Sequence, residues 1–385
     1  MSKPSTRSFD VAVVGGGVIG LSIAWRAAQR QMRVVVCERD EFGRGTSYVA
    51  AGMIAPISEA RSTEQALLGL NLRSAAAYPA FMAELADASG LDPGFLACGT
   101  IAAARDRDEA EALERELTMR QGLGLPVRRL LPSQARRMEP GLAPALRLGL
   151  EVPDDHAVDP RQLVRALAAA AERAGAVLRT GAGVESVRCA DDRVEGLQLA
   201  GGEQVLAEHV VIAGGVWSGR VAGVPESARV PLRAVKGQIM HLHDPSGPGL
   251  LTHALRIMAP GALYVVPRGD GRYVLGATVE ERGFDTSVTA GALFELLRDA
   301  SELLPGLSEL VIDELLAGLR PATPDNAPAL GPAAGVAGLH WAVGHYRHGV
   351  LLAPVTAELV VGGLLGVQPP PEFSPARFAG VTVPC

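Results

Sequence analysis

The sequence predicts an α/β protein in two parts: a Rossmann-like dinucleotide-binding domain and an inserted, mainly antiparallel β-sheet domain. Three observations lead there. Residues 11–39 read VAVVGGGVIGLSIAWRAAQRQMRVVVCER, a strand, glycine-rich turn, helix and second strand in succession. Between Val230 and Val279 the texture changes to alternating strands (KGQIMHL, ALYVVPR, RYVLGATV), with Gly269-Asp270-Gly271 as a hairpin turn. A strand at Leu339–Val343, followed by an apolar helical stretch, then returns the chain to the α/β pattern.

The first observation carries most of the functional information. Gly15, Gly17 and Gly20 stand in G-x-G-x-x-G spacing behind the apolar run Val11, Val13, Val14. The first glycine permits the tight turn, the second lets backbone amides approach a pyrophosphate, and the third lets helix and strand pack closely. The helix N-terminus adds oriented N–H groups and partial positive charge for phosphates. Glu38 ends the second strand, where a carboxylate accepts hydrogen bonds from ribose hydroxyls. A glycine turn alone is a weak signal, but here every part of the unit is present. The pattern predicts an adenine dinucleotide and leaves FAD and NAD undistinguished.

Bulk properties exclude several classes. With 385 residues the chain exceeds one typical domain, and 48% apolar against 20% charged residues rules out a disordered polymer. A formal net charge of −6, with no basic block, argues against nucleic acid or an anionic membrane surface as partner. Cys37, Cys98, Cys189 and Cys385 are widely spaced, with no metal-ligand pattern, so no metal and no disulfide framework is expected. The N-terminal MSKPSTRSFD lacks an apolar core for a signal peptide, and Val350–Val367 is interrupted by Pro354, Thr356 and Glu358. A cytoplasmic protein without membrane contact, forming a homo-oligomer, is the expectation.

Along the chain, Gly43–Pro56 reads as a Gly/Ala-rich loop for close approach to a flat ligand. Helical spacing follows over 63–88 and 106–121. Asp159 and Pro160 read as N-cap and first residue of a helix ending near Gly175. Strands are expected at Ala176–Leu178, Val184–Val187 and Val210–Ile212, and a helix over 289–304. Gly349-Val350-Leu351 reads as the opening of the last helix, and Pro369–Pro371 as the end of the folded part. The expected division places residues 1–85, 152–222 and 320–385 in the dinucleotide-binding domain and 86–151 and 223–319 in the substrate domain.

Six segments together resemble the D-amino acid oxidase family of FAD-dependent oxidoreductases: VAVVGGGVIG, ER at 38–39, GTSYVAAGM, VVIAGGVWSG, GLRPATPDNAPALG and GHYRHGVLLAPVTA. The likeness runs from about Asp10 to Gly366 and points to the glycine-oxidising branch associated with thiamine thiazole synthesis. It implies FAD as cofactor, a small amino acid or amine as substrate, and molecular oxygen as acceptor, with imine, glyoxylate, ammonia and hydrogen peroxide as products. Beyond the glycines, it implies flavin contacts at Val18, Ile19, Glu38, Arg39, Thr46, Ser47, Ala51, Gly52, Met53 and Val184. Further contacts are implied at His345, Tyr346, Arg347, His348, Gly349, Val350 and Leu351, and a substrate site at Tyr264, Arg320 and Arg347.

Physical chemistry supports an arginine there, because a planar guanidinium grips a carboxylate bidentately. From the residues alone, Arg320 reads equally well as a structural ion pair, Tyr264 as strand packing, and Arg347 as a phosphate or backbone contact. No acid or base is assigned to His345 or His348, since hydride transfer from a free amine needs orientation more than proton transfer. A helix start at Gly349 is expected to stabilise the anionic reduced flavin. Related sarcosine oxidases hold flavin through a cysteine near the position of Leu319–Arg320 and carry a lysine in the strand matching Tyr273–Leu275. This chain has neither, so its FAD is expected to be non-covalent. Lys236 reads as structural. Two alternatives stay open: a D-amino acid or sarcosine dehydrogenase using an electron carrier, and a non-catalytic flavin-binding subunit.

Overall fold

The computed structural model describes residues 8–258 and 263–379; residues 1–7 and Cys385 lie outside them. The β-branched run Val11–Val14 forms the centre of a parallel sheet. Its strand, Phe9–Val14, pairs in parallel with Val34–Cys37 on one side and Gln204–Ile212 on the other. Val177–Arg179 and Leu339–Val343 extend the parallel run outward. Val11, Ala12 and Val13 are buried because helices cover the sheet, and this is why the run is continuously apolar instead of alternating. Helix Val18–Gln29 packs against Pro160–Arg173 and Ala353–Leu364. An antiparallel ribbon, Val184–Ala190 with Arg193–Leu199, continues from the long strand Gln204–Ile212.

The second sheet has eight strands. Val311–Ala322 lies at one edge beside Arg233–His243, followed by Arg272–Gly276, Leu263–Pro267 and Ala254–Ile257. Thr100–Ala104, Leu148–Val152 and Arg128–Leu130 complete it. Among the described residues its single parallel pairing joins Ala254–Ile257 to Thr100–Ala104. Helix Ala290–Leu303, capped by the Thr289 hydroxyl, buries Leu296, Ala300 and Leu303 against this sheet. A small third sheet ties Met53–Ile54 to His156–Val158 and Phe95–Leu96.

Three sequence expectations change. The last helix does not open at Gly349: residues 349–352 are turns, with Leu352 N–H bonded to the His348 carbonyl, and the helix is Ala353–Leu364. Pro354 sits in its first turn, where a missing N–H costs nothing, and this fixes the start later. The folded part does not end at Pro371. Short 3₁₀ turns at Pro371–Phe373 and Pro375–Phe378 bury Phe373 and Phe378. Gly43–Pro56 is also more ordered than a loop, with a helical turn at Thr46–Val49 and the strand Met53–Ile54. No helix of the described residues is long and apolar enough to cross a membrane.

Candidate active site

A cavity of about 730 Å³ runs from Glu38 and Arg39, past the glycine turn, to Tyr264, Arg320 and His345. Its size falls within the range of small-molecule sites. The backbone explains the glycine spacing. Gly15 has φ +102°, and a Cβ there would lie 2.7 Å from the Ala213 carbonyl oxygen. A Cβ at Gly20 would meet the Gly15 carbonyl oxygen at 2.0 Å, so helix and turn touch through bare backbone. Ser47 Oγ accepts from Val18 N–H (3.1 Å). The Thr46 hydroxyl donates to the Leu319 carbonyl (2.6 Å) and so ties this loop to the strand that bears Arg320.

Glu38 faces the cavity, and its oxygens accept from Gly16 N–H (2.7 Å) and Asp40 N–H (3.1 Å). It therefore also braces the glycine turn, which sequence reasoning missed. Every residue predicted to contact cofactor or substrate lines this one cavity, apart from Gly20 and Leu351. Gly20 lies behind the turn, and Leu351 is buried with its carbonyl accepting from the Ser74 hydroxyl (2.7 Å). Trp217 lies in the segment VVIAGGVWSG, just past the strand Gln204–Ile212. It lines the cavity, with the Arg39 guanidinium stacked 4.3 Å from its ring centroid. An open glycine turn, a carboxylate beside it and a cavity of this length fit an adenine dinucleotide.

At the far end, Arg320 lies opposite Val235 in the sheet. Its Nη1 donates to the Lys236 and Thr278 carbonyls (3.3 and 3.1 Å), and among the described residues no carboxylate bonds to it. Gly237 lies directly beneath: a Cβ there would stand 2.5 Å from the guanidinium nitrogens. The site is built around the arginine and leaves its charge facing the cavity. Tyr264 lines the same end; burial pushes its phenol up, while Arg320 opposes that shift and Glu59 reinforces it. Lys236 is buried and points away, its Nζ paired with Asp285 (2.8 Å).

Arg347 is differently placed. Its Nε meets Glu59 (3.1 Å), its Nη2 meets Glu64 (2.9 Å), and its Nη1 is buried without a partner among the described residues. Neither ion pair had been anticipated from the sequence. His345 bonds Thr356 Oγ1 (2.9 Å), and burial pushes its imidazole down to about 3. His348 is likewise pushed well down by burial and by Arg347 and Arg61. Both rings are neutral at physiological pH; the His345 ring makes a hydrogen bond, whereas His348 Nε2 is buried without a partner among the described residues. With the helix starting at Ala353, the predicted positive helix end does not lie at Gly349–Leu351.

A further device holds the loop after Ile54. The fully buried Asp155 carboxylate accepts from Ile57 N–H (3.0 Å) and Ser58 N–H (2.6 Å). From the other side, Arg120 donates to the carbonyls of the same two residues (2.8 and 2.5 Å) and pairs with Glu116, which also holds Arg256 (both 2.8 Å). Burial pushes Asp155 up from 3.8 to about 6, so the folded state holds its proton more tightly than the unfolded chain. Its contribution therefore favours folding below its ordinary value and weakens as pH rises toward 6. The thermal penalty of Asp155→Asn is accordingly expected to be larger at pH 4 than at pH 7, by about 2–4 °C. A pH-independent difference in melting temperature overturns this.

Among the described residues no group of three or more His, Cys, Asp or Glu is placed to hold a metal ion. The family model for FAD dependent oxidoreductases, DAO, matches residues 10–362. A glycine oxidase from Geobacillus kaustophilus is 38% identical over 92% of this chain and 92% of its own. The crystal structure of glycine oxidase from that organism superposes with a TM-score of 0.89 at 36% identity, covering 98% of this chain and 100% of that one. A bifunctional protein ThiO/ThiG from Trichormus variabilis is 34% identical over 96% of this chain, which spans 55% of it. The glycine turn, the cavity behind it and a match across nine-tenths of the sequence lead to one conclusion: the chain belongs to the DAO family of FAD-dependent oxidoreductases.

Proposed function

We propose that this flavoenzyme oxidises glycine, or an amino acid little larger. One glycine, one oxygen and one water give glyoxylate, ammonia and hydrogen peroxide. The observation that carries the reading is Arg320, a cavity-facing guanidinium held by two backbone carbonyls and, among the described residues, by no carboxylate. Such a group receives a substrate carboxylate, and Tyr264 stands beside it to share the contact. FAD, when bound, supplies the two-electron acceptor. The protein's own part is to fix the amino acid by its carboxylate, so that Cα–H is oriented and water is excluded. The names of the glycine oxidase relatives support the substrate, and the ThiO/ThiG relative supports a place in thiamine thiazole synthesis.

Within this reading the glycine turn, Glu38, Arg39, Thr46, Ser47, Ala51–Met53 and Val184 hold the cofactor, and residues 345–350 close over it. The division into a cofactor domain (1–85, 152–222, 320–385) and a substrate domain (86–151, 223–319) belongs to the same proposal. So does non-covalent FAD. Cys37 lines the cavity, but burial pushes its thiol up to about 11, which leaves no thiolate to form a bond. The test is anaerobic addition of glycine to the purified yellow protein. The flavin is expected to bleach, to recover under air with one peroxide per turnover, and to leave the polypeptide as FAD on mild denaturation. A flavin that stays oxidised favours the non-catalytic subunit. Bleaching without peroxide favours the dehydrogenase.

A further inference from the structure

We propose that Glu59 is the receptor for the substrate's cationic amine. The cavity then takes up an amino acid by both ends of its zwitterion, with the carboxylate at Arg320 and the ammonium at Glu59, and one ammonium proton passes to solvent to give the free amine before hydride leaves Cα. The proposal rests on the amino acid oxidase reading above and adds what selects the amine.

Four observations support it. First, Glu59 lines the cavity whereas Glu64, the other acid on Arg347, does not. Second, only Oε2 of Glu59 is engaged, by Arg347 Nε at 3.1 Å and near His348 Nδ1 at 3.6 Å; among the described residues Oε1 accepts no hydrogen bond. Third, among the described residues no cation of its own covers Glu59: Arg347 is shared with Glu64, His348 is neutral, and the largely exposed Arg61 reaches Glu64 at 3.8 Å. Fourth, Glu59, Tyr264 and Arg320 line the same cavity, and the charges of Arg320 and Glu59 both act on the Tyr264 phenol.

The rigidity of the loop supports the same role. Asp155 and Arg120, both buried, clamp the backbone of Ile57 and Ser58 immediately before Glu59. An ion pair serving only to anchor Arg347 needs no such precision, since Glu64 already supplies one. A receptor that must orient an amine beside its Cα–H does. Selection follows: a 2-hydroxy acid of the same size keeps the carboxylate contact but offers Glu59 no positive charge.

The experiment compares glycine with glycolate on the FAD-loaded protein. Glycine affinity is read from anaerobic reduction, and glycolate affinity from its perturbation of the flavin absorbance. Glu59→Gln keeps an oxygen for Arg347 and removes the charge; its flavin spectrum and melting temperature report folding. Glycine is expected to bind about 10-fold or more weakly, while glycolate binds within about 3-fold of wild type or more tightly. Glu64→Gln is expected to leave the glycine-to-glycolate ratio unchanged. Equal weakening of both ligands in Glu59→Gln overturns the proposal, because Glu59 then acts only through Arg347. Unchanged glycine affinity overturns it as well, while bleaching of the wild type keeps the parent reading intact. A wild type that glycine does not bleach overturns both.

Discussion

Arg320→Lys and Arg320→Ala are both expected to cripple glycine oxidation while leaving the bound flavin spectrum nearly unchanged. Removing one partner of a desolvated, hydrogen-bonded charge pair costs about 2–5 kcal/mol, roughly 30-fold to several thousand-fold in kcat/KM. Lysine should not rescue, for two reasons. A point charge cannot reproduce the bidentate fork that orients Cα–H. The space over Gly237 is also shaped to a flat guanidinium resting on the Lys236 and Thr278 carbonyls. Steady-state kinetics on FAD-loaded variants decide the matter. A loss below about 10-fold makes Arg347 the main anchor. Loss of flavin from the variants makes Arg320 structural.

Glu38→Ala is expected to act at the opposite end of the cavity. Its carboxylate is placed to receive ribose hydroxyls, and it also accepts the Gly16 and Asp40 N–H groups. Losing one charge-assisted hydrogen bond costs roughly 1.5–3 kcal/mol, about 10- to 150-fold in FAD affinity. The unbraced glycine turn should push the effect toward the upper end. Turnover of the flavin-loaded fraction should change little, because Glu38 follows a strand of the first sheet at the glycine turn whereas Arg320 stands in the second sheet. FAD titration of the apoprotein measures it, and an unchanged dissociation constant shows that Glu38 serves only the turn.

Much of the cofactor half was legible because its information is local. The turn, the helix and Glu38 lie within about thirty residues, and each glycine answers a steric demand of its immediate surroundings: Gly20 against the Gly15 carbonyl, Gly15 against Ala213. Alternating strands and the turn at Gly269–Gly271 likewise reveal the second sheet, and Thr289 is the observed cap of its helix. Strand Thr100–Ala104, TIAAA, was not recognised. Alanine has little preference for strands, and this segment becomes one only through its neighbours Leu148–Val152 and Ala254–Ile257.

The sequence by itself determined the βαβ unit and the two-sheet architecture, and it singled out Arg320 and Tyr264, which line one cavity. Periodicity and glycine spacing are properties of neighbouring residues, and the family likeness is a property of contiguous motifs. Only the tertiary structure decided which charges meet. Among the described residues Arg320 stays free of acids, whereas Arg347, in an equally suggestive motif, is held by Glu59 and Glu64 from almost three hundred residues away. The Asp155–Arg120 clamp and the Arg39–Trp217 stack join similarly distant segments. An ion pair depends on the separation and desolvation of two groups in space, and sequence spacing carries neither quantity.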